Sequence, residues 1–321
     1  VRAVIADDFN TEPRLAELPD PEPGPGEVLV RIEAAGVNPF DWKVVDGVMC
    51  GAVEHAFPLV LGSDGAGVVE RTGPGVTGLA EGDRVFGQFM DVERGRGSYA
   101  EFALAPAEGK LASLPRQLPF DLAAALPTAG AAAHDFVAAS GAADGHVLLV
   151  NGASGGVGQA AVQLAAARGA HVIATTDPAT AAYLLELGAA EIVDFTEAPT
   201  VDQVREAHPD GVDAVVDLVS GPAQIDAVAE LLRPGGVIIS SNTAADVEAL
   251  AARGLRGANL YADASPETLG SLAASVVDGE LKVRIDFKAP LEKAPAALDR
   301  SRAGSARGKT VLTVREGTVD A

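Results

Sequence analysis

The densest chemical signal in this 321-residue chain is VNGASGGVGQAAVQLA, where the apolar run His146 to Asn151 meets Gly152, Ala153, Ser154, Gly155, Gly156, Val157 and Gly158. Val157, Ala161, Leu164 and Ala165 then recur at helical spacing, which places the glycines where a strand turns into a helix N-terminus. Such a turn aims unpaired N–H groups and the positive end of a helix dipole at one spot, where a pyrophosphate can rest. Gly155 gives the phosphates room to approach, and Gly158 lets the helix pack closely on the strand. An ATPase-type loop is excluded because no Lys-Ser/Thr pair follows the glycines. A second strand ends at Asp177, 19 residues after Gly158. A carboxylate there accepts both ribose hydroxyls of NADH and repels the 2′-phosphate of NADPH. Asp177 can also N-cap the helix opened by Pro178, and one residue can do both. No Lys or Arg lies between Thr175 and Glu186, so the local chemistry leans to NADH.

The elements around this loop change character along the chain. From Arg2 to about Asp121, Gly and Pro interrupt short alternating runs such as Glu27 to Ala34, in which Val28, Val30 and Ile32 share a face. From Leu122 to Leu281 five apolar runs of strand length (HVLLVNG, HVIATT, EIVDF, DAVVDLV, GVIISS) alternate with Ala-rich helical stretches, the pattern of a parallel sheet covered on both faces. After Lys282 the texture returns to short strands, with LEKAPAALDRSRAGSA as a helix and KTVLTV as a strand that rejoins the first region. The reading is therefore α/β, with a β domain of residues 1–121 completed by 282–321 and a dinucleotide-binding domain of residues 122–281. The formal charge of −21 would repel a phosphate backbone and an anionic bilayer, which argues against nucleic acid and membrane as partners. No apolar run is long enough to span a membrane, and no secretory signal opens the chain, so a cytoplasmic location is expected. Cys50 is the only cysteine, which excludes an internal disulfide and any multi-cysteine zinc site.

In this order the motifs GEVLVRIEAAGVNPFDWKVVDG (Gly26 to Gly47), LGSDGAGVVERTGPGV (Leu61 to Val76), GDRVFG, GSYAEF, NGASGGVG, DLVSG and GKTVLTV resemble the zinc-free medium-chain dehydrogenase/reductases, in the quinone oxidoreductase and enone (alkenal) reductase branch. The resemblance covers nearly the whole chain. It implies a Rossmann doubly wound parallel sheet inserted into a GroES-like β domain, a cofactor cleft where the two meet, and a homodimer or homotetramer. Zinc-dependent relatives carry Cys where Asn38 stands and a His-Glu pair where Ser63 and Asp64 stand, so no zinc is expected. Asn38 corresponds to a residue beside the nicotinamide, and Thr128 to one that touches it, with helix capping as the alternative use of Thr128. Lys43 becomes the candidate for contact with the substrate oxygen or for protonating an enolate, the alternative being a solvated Lys at the cleft mouth. Asp41 and Asp64 correspond to structural positions, the alternative for Asp64 being a relic of a metal ligand. Val219 and Ser220 follow the fourth Rossmann strand, and Ser241 and Asn242 the fifth, at the carboxyl edge where ligands bind in open α/β sheets.

NADPH is the usual reductant in this branch, held by a basic residue and a Tyr where this chain has Thr180 and Phe195. Family and local chemistry therefore disagree, and both cofactors stay open with a lean to NADH. The expected activity is hydride transfer to a quinone or to the C=C of an α,β-unsaturated carbonyl. An enoyl-thioester reductase of a biosynthetic pathway is the alternative enzyme, and a cofactor-binding structural or regulatory protein the alternative from outside enzymology. The loops Val48 to Phe57 and Met90 to Arg96 are expected to face the substrate, without readable chemistry of their own.

Overall fold

The computed structural model describes residues 1–315, so the expected β-domain tail is described as far as Arg315. The chain forms two compact units, Val1–Thr128 with the chain from Ala264 on, and Ala129–Asp263. These bounds fall at 128/129 and 263/264, against 121/122 and 281/282 in the sequence reading. The helix Pro266–Val277 packs against the strand Leu111–Ser113 of the first unit.

A seven-stranded sheet organises the first unit, with Glu27–Val37 paired to Asp64–Thr72, Phe102–Pro106 and Lys309–Thr313, all antiparallel. The alternating residues Val28, Val30 and Ile32 are fully buried and join one core with Val4, Leu59, Leu61 and Val85. At about 1.5–3 kcal/mol for each large apolar side chain removed from water, this inner face is what holds the long strand in register. Lys309–Thr313, the KTVLTV strand, pairs Thr310 with Val37 and Thr313 with Ala34, so the distant tail does close onto the first region. The predicted helix after Pro290 is a short 3₁₀ turn, Leu291–Lys293, followed by an α-helix over Ala294–Arg302.

The second unit holds a six-stranded parallel sheet, in spatial order Glu191–Asp194, His171–Thr176, Val147–Asn151, Val212–Asp217, Leu232–Ser240 and Arg256–Asn259. In chain order this is 3-2-1-4-5-6, the Rossmann arrangement, with its topological switch between the first and fourth strands. Five of the six strands are the five apolar runs of the sequence. Arg256–Asn259, with sequence RGAN, carries no β-branched or aromatic residue and is legible only through its partner, since Val237 to Ser240 supply its ladder. Leu149, Ile173, Val193, Val204, Val215 and Ile238 pack into a core cluster of the unit.

Candidate functional site

The strand Val147–Asn151 ends at Gly152, whose φ of +94° lies in the left-handed region that favours glycine. A side chain there would also lie 2.6 Å from Val219 Cγ1. The chain then turns through Ala153 and Ser154, and an 11-residue helix, Gly156–Ala166, starts with Gly155 as its N-cap. Gly158 admits no side chain, because a Cβ would sit 2.4 Å from the Gly152 carbonyl oxygen. Gly155 is the opposite case: no heavy atom outside its immediate neighbours lies within 4 Å of a Cβ built on it. The first turn of the helix, Gly156, Val157 and Gly158, thus presents amide groups beside an open cradle, which fits a diphosphate.

Side-chain hydrogen bonds hold this elbow from below. Gly152 N–H donates to Thr175 Oγ1 at 2.8 Å, and Thr175 Oγ1 donates to Asn151 Oδ1 at 3.1 Å. Ser154 Oγ shares a 2.8 Å hydrogen bond with Thr176 Oγ1. Asn151 Nδ2 donates to Asp217 Oδ2 at 2.8 Å, which ties the first strand to the fourth across the switch point. The buried Asp217 carboxylate also accepts from the backbone of Val219 and Ser220 and from Ser220 Oγ. The residues singled out in sequence after the fourth strand are therefore shaped by Asp217, which sequence reasoning passed over although it stands in DLVSG. Val219 itself is exposed. Ser241 N–H donates to the Asp217 carbonyl at 3.0 Å, and Asn242 Nδ2 reaches the carbonyls of Leu218 and Ser220, each at 3.4 Å. The whole set lies at the carboxyl edge of the sheet.

Asp177 is the N-cap residue of the helix Pro178–Glu186 by backbone position, yet its side chain makes no capping hydrogen bond. Helix capping is therefore not the role of this carboxylate. Thr180 is buried, so its side chain is not presented to a phosphate, while Phe195 is half exposed.

In the first unit two buried carboxylates hold the other sequence candidates. Asp41 accepts from Asn38 N–H at 2.8 Å, Ser63 N–H at 2.8 Å, Ser63 Oγ at 2.7 Å and Tyr99 Oη at 2.7 Å. Burial pushes the Asp41 carboxyl up, and these donors pull it back down. Asp64 accepts from Asn38 Nδ2 at 2.9 Å, Thr128 N–H at 3.0 Å and Thr128 Oγ1 at 2.6 Å. Its pKa is pushed up to about 6 by burial, against the opposing pull of the nearby Lys309 ammonium and of these hydrogen bonds. Lys309 Nζ stands 4.0 Å from Asp64, donates to Asn38 Oδ1 at 2.5 Å, and has its pKa lowered by burial.

Asn38 is only 2% exposed, with both ends of its amide engaged, so its side chain reads as a strut of this network. Thr128 does not cap its helix with its own side chain. It lies inside Pro127–Ser140, donates to Asp64 and accepts from Gln88 Nε2 at 2.8 Å, and the Asp64 carboxylate receives the first-turn N–H. Lys309 escaped the sequence reading, because nothing local to GKTVLTV signals a partner 271 residues away. Lys43 lies in the last turn of the helix Pro39–Val45, with Nζ 5.7 Å from the centroid of the Trp42 ring, and partial burial lowers its pKa. The donor set at Asn38, Ser63 and Asp64 does not suit a catalytic zinc: an amide, a hydroxyl and a carboxylate that already accepts three hydrogen bonds, with an ammonium beside it, offer no thiolate or imidazole.

A cavity of about 340 Å³ opens in the same unit, lined among others by Met49, Val53, Gln88, Phe89, Met90 and Arg96. It draws on both loops expected to face the substrate, and its size suits a small organic molecule.

Comparison with known proteins bears on the same residues. The family model described as "Alcohol dehydrogenase GroES-like domain" matches residues 24–116, and that described as "Zinc-binding dehydrogenase" matches residues 187–312. A quinone oxidoreductase of Rattus norvegicus is 33% identical over 306 residues, 91% of this chain and 90% of that protein. The 2-methylene-furan-3-one reductase of Solanum lycopersicum is 33% identical over 295 residues, 89% of this chain and 71% of that one. Among solved structures, mycobacterial Rv1454c complexed with NADPH superposes with a TM-score of 0.85 at 28% identity, covering 98% of this chain and 99% of that one.

Proposed function

The chain belongs to the quinone-oxidoreductase-like branch of the medium-chain dehydrogenase/reductase superfamily and is an oxidoreductase of that type; on that premise we propose that it transfers a hydride from NADH or NADPH to a quinone or to the C=C of an α,β-unsaturated carbonyl. The observation that carries this reading is the open cradle at Gly155, set on a helix N-terminus beside the left-handed Gly152. The nucleotide, when bound, supplies the hydride; the protein supplies orientation and electrostatics.

Amides of Gly155, Gly156, Val157 and Gly158 would hold the diphosphate, with Ser154 as a further ligand. Asp177 accepts the adenosine ribose hydroxyls and favours NADH, although a solved relative holds NADPH. Val219, Ser220, Ser241 and Asn242, at the carboxyl edge of the sheet, would hold the nicotinamide half. Asn38 and Thr128, both tied to Asp64, would contribute to nicotinamide binding. Lys43 gives a proton to the reduced acceptor, on the oxygen of a quinone or as the enolate of an enone is quenched. Its lowered pKa makes that proton easier to release near neutral pH. The methionine-containing cavity takes an apolar small molecule as acceptor, and the scarcity of basic residues argues against a coenzyme A pocket. The working particle is a homodimer or homotetramer.

Oxidation of NADH and NADPH, followed at 340 nm against a panel of quinones, enones and enoyl thioesters, tests the reading. Turnover with quinones or enones is expected. Binding of cofactor without turnover of any acceptor would overturn it, and preference for a thioester would select the biosynthetic alternative.

A further inference from the structure

The amino ends of the parallel strands lie opposite the nucleotide elbow, and there the second unit gathers three side chains that hydride transfer does not use. His171 opens the strand His171–Thr176, Glu191 opens Glu191–Asp194, and His208 caps the end of the helix Thr200–Ala207. Their convergence follows from periodicity. Glu191 pairs in register with Ile173, and His171 lies two residues before Ile173, so both side chains emerge on one face of the sheet. Val204 packs in the same core cluster as Ile173 and Val193, and His208 follows Val204 by four residues, one helical turn further on. The helix that buries Val204 on that face therefore brings His208 down over the rim where His171 and Glu191 stand.

His171 Nε2 lies 2.5 Å from one Glu191 oxygen, and His208 Nε2 lies 3.0 Å from the other. One ligand-type atom from each of the three residues falls within 4.8 Å of the others. We propose that His171, Glu191 and His208 form a binding site for a divalent transition-metal ion of the zinc class, separate from the nucleotide elbow. Two imidazoles and one carboxylate are a donor set that suits zinc and cobalt, and three protein ligands leave the ion a position open to water. The side chains of His171 and Glu191 are 43% and 36% exposed, which gives an ion a route in and lets the rings rotate to metal–ligand distances. Binding requires each imidazole proton on Nδ1, so that both Nε2 lone pairs face the ion. A bound ion would clip two strands and a helix of the sheet's outer edge together.

Titration of the chelator-treated full-length protein with Co²⁺, read by visible absorption and followed by displacement with Zn²⁺, tests the site. One equivalent of cobalt with the intense bands of a low-coordinate site is expected, together with a rise in Tm on adding Zn²⁺. His171→Gln, which changes an exposed position, and His208→Ala should each weaken binding by at least tenfold and remove the metal-dependent rise in Tm. Nucleotide binding should persist in both variants, which separates this outcome from any failure of the oxidoreductase reading. The proposal is overturned if the wild-type chain takes up no stoichiometric ion, or if the double variant His171→Gln/His208→Ala binds it as tightly as the wild type.

Discussion

The nucleotide elbow of the second unit and the Asp41–Asp64 network of the first solve positioning problems by different means. The elbow is built from backbone: a left-handed Gly152, an open Gly155 and a Gly158 too crowded for a methyl group, all within seven residues. The network is built from side chains that the chain brings together from positions 38, 41, 63, 64, 99, 128 and 309. A backbone site fails through shape, whereas a side-chain network fails through charge and the loss of a partner, so each predicts its own response to substitution.

Lys43 gives the largest expected effect. Lys43→Met should lower kcat by about 100- to 10,000-fold for an acceptor that needs protonation, in line with the usual contribution of a positioned acid. In the wild type kcat should fall as pH rises through a Lys43 pKa lying below the ordinary lysine value, and the variant should lose that limb. An unchanged pH profile would place Lys43 outside the mechanism and confine the chemistry of the first unit to positioning.

Asp64 comes next. Its folded pKa of about 6 lies above the unfolded value near 3.8, so in the window between them the folded chain keeps a proton that the unfolded chain has released. Stability from this group is full below the lower value and is lost as pH rises through the upper one, a change of roughly 3 kcal/mol at most. Asp64→Asn should remove that slope when unfolding is measured from pH 4 to 7. Parallel profiles for the two proteins would show that the carboxyl is not perturbed in this way.

The elbow should respond to shape. Gly158→Ala forces a Cβ against backbone atoms of Gly152 and Ala153, and should cost about 1–3 kcal/mol in thermal or denaturant unfolding. At the smallest end, Asp177→Ser should shift the ratio of NADH to NADPH affinity toward NADPH by about tenfold, the loss of one carboxylate's preference. No shift would leave Asp177 as a cap position without a role in cofactor choice.

The contrast also explains what could be read from the sequence. The elbow is legible because its requirements are local: strand, glycines, helix and the following Asp177 all fall between His146 and Pro178. The Rossmann order is legible for the same reason in five of its six strands, each an apolar run, and fails at RGAN, where neighbours rather than residue types make the strand. The resemblance pointed to Asn38 and Thr128, but that both are tied to one carboxylate, and that Lys309 stands beside it, depends on strand pairing across the length of the chain. Asp217 was in plain view within DLVSG, yet its role in knotting the first and fourth strands depends on Asn151 facing it in the sheet. The His171, Glu191 and His208 cluster stayed hidden for a related reason, since each residue alone is an ordinary surface histidine or glutamate.

The central claim is that the elbow between Asn151 and Gly158 holds the diphosphate of a reduced pyridine nucleotide, and calorimetric titration of NADH into the wild type and Gly155→Ala tests it most directly. A methyl group at Gly155 meets no protein atom, so the variant should keep the wild-type Tm while its one nucleotide site per chain weakens by at least about tenfold, the methyl occupying the place of the phosphates. Equal affinity in the two proteins, or no uptake of NADH by the wild type, would contradict the account.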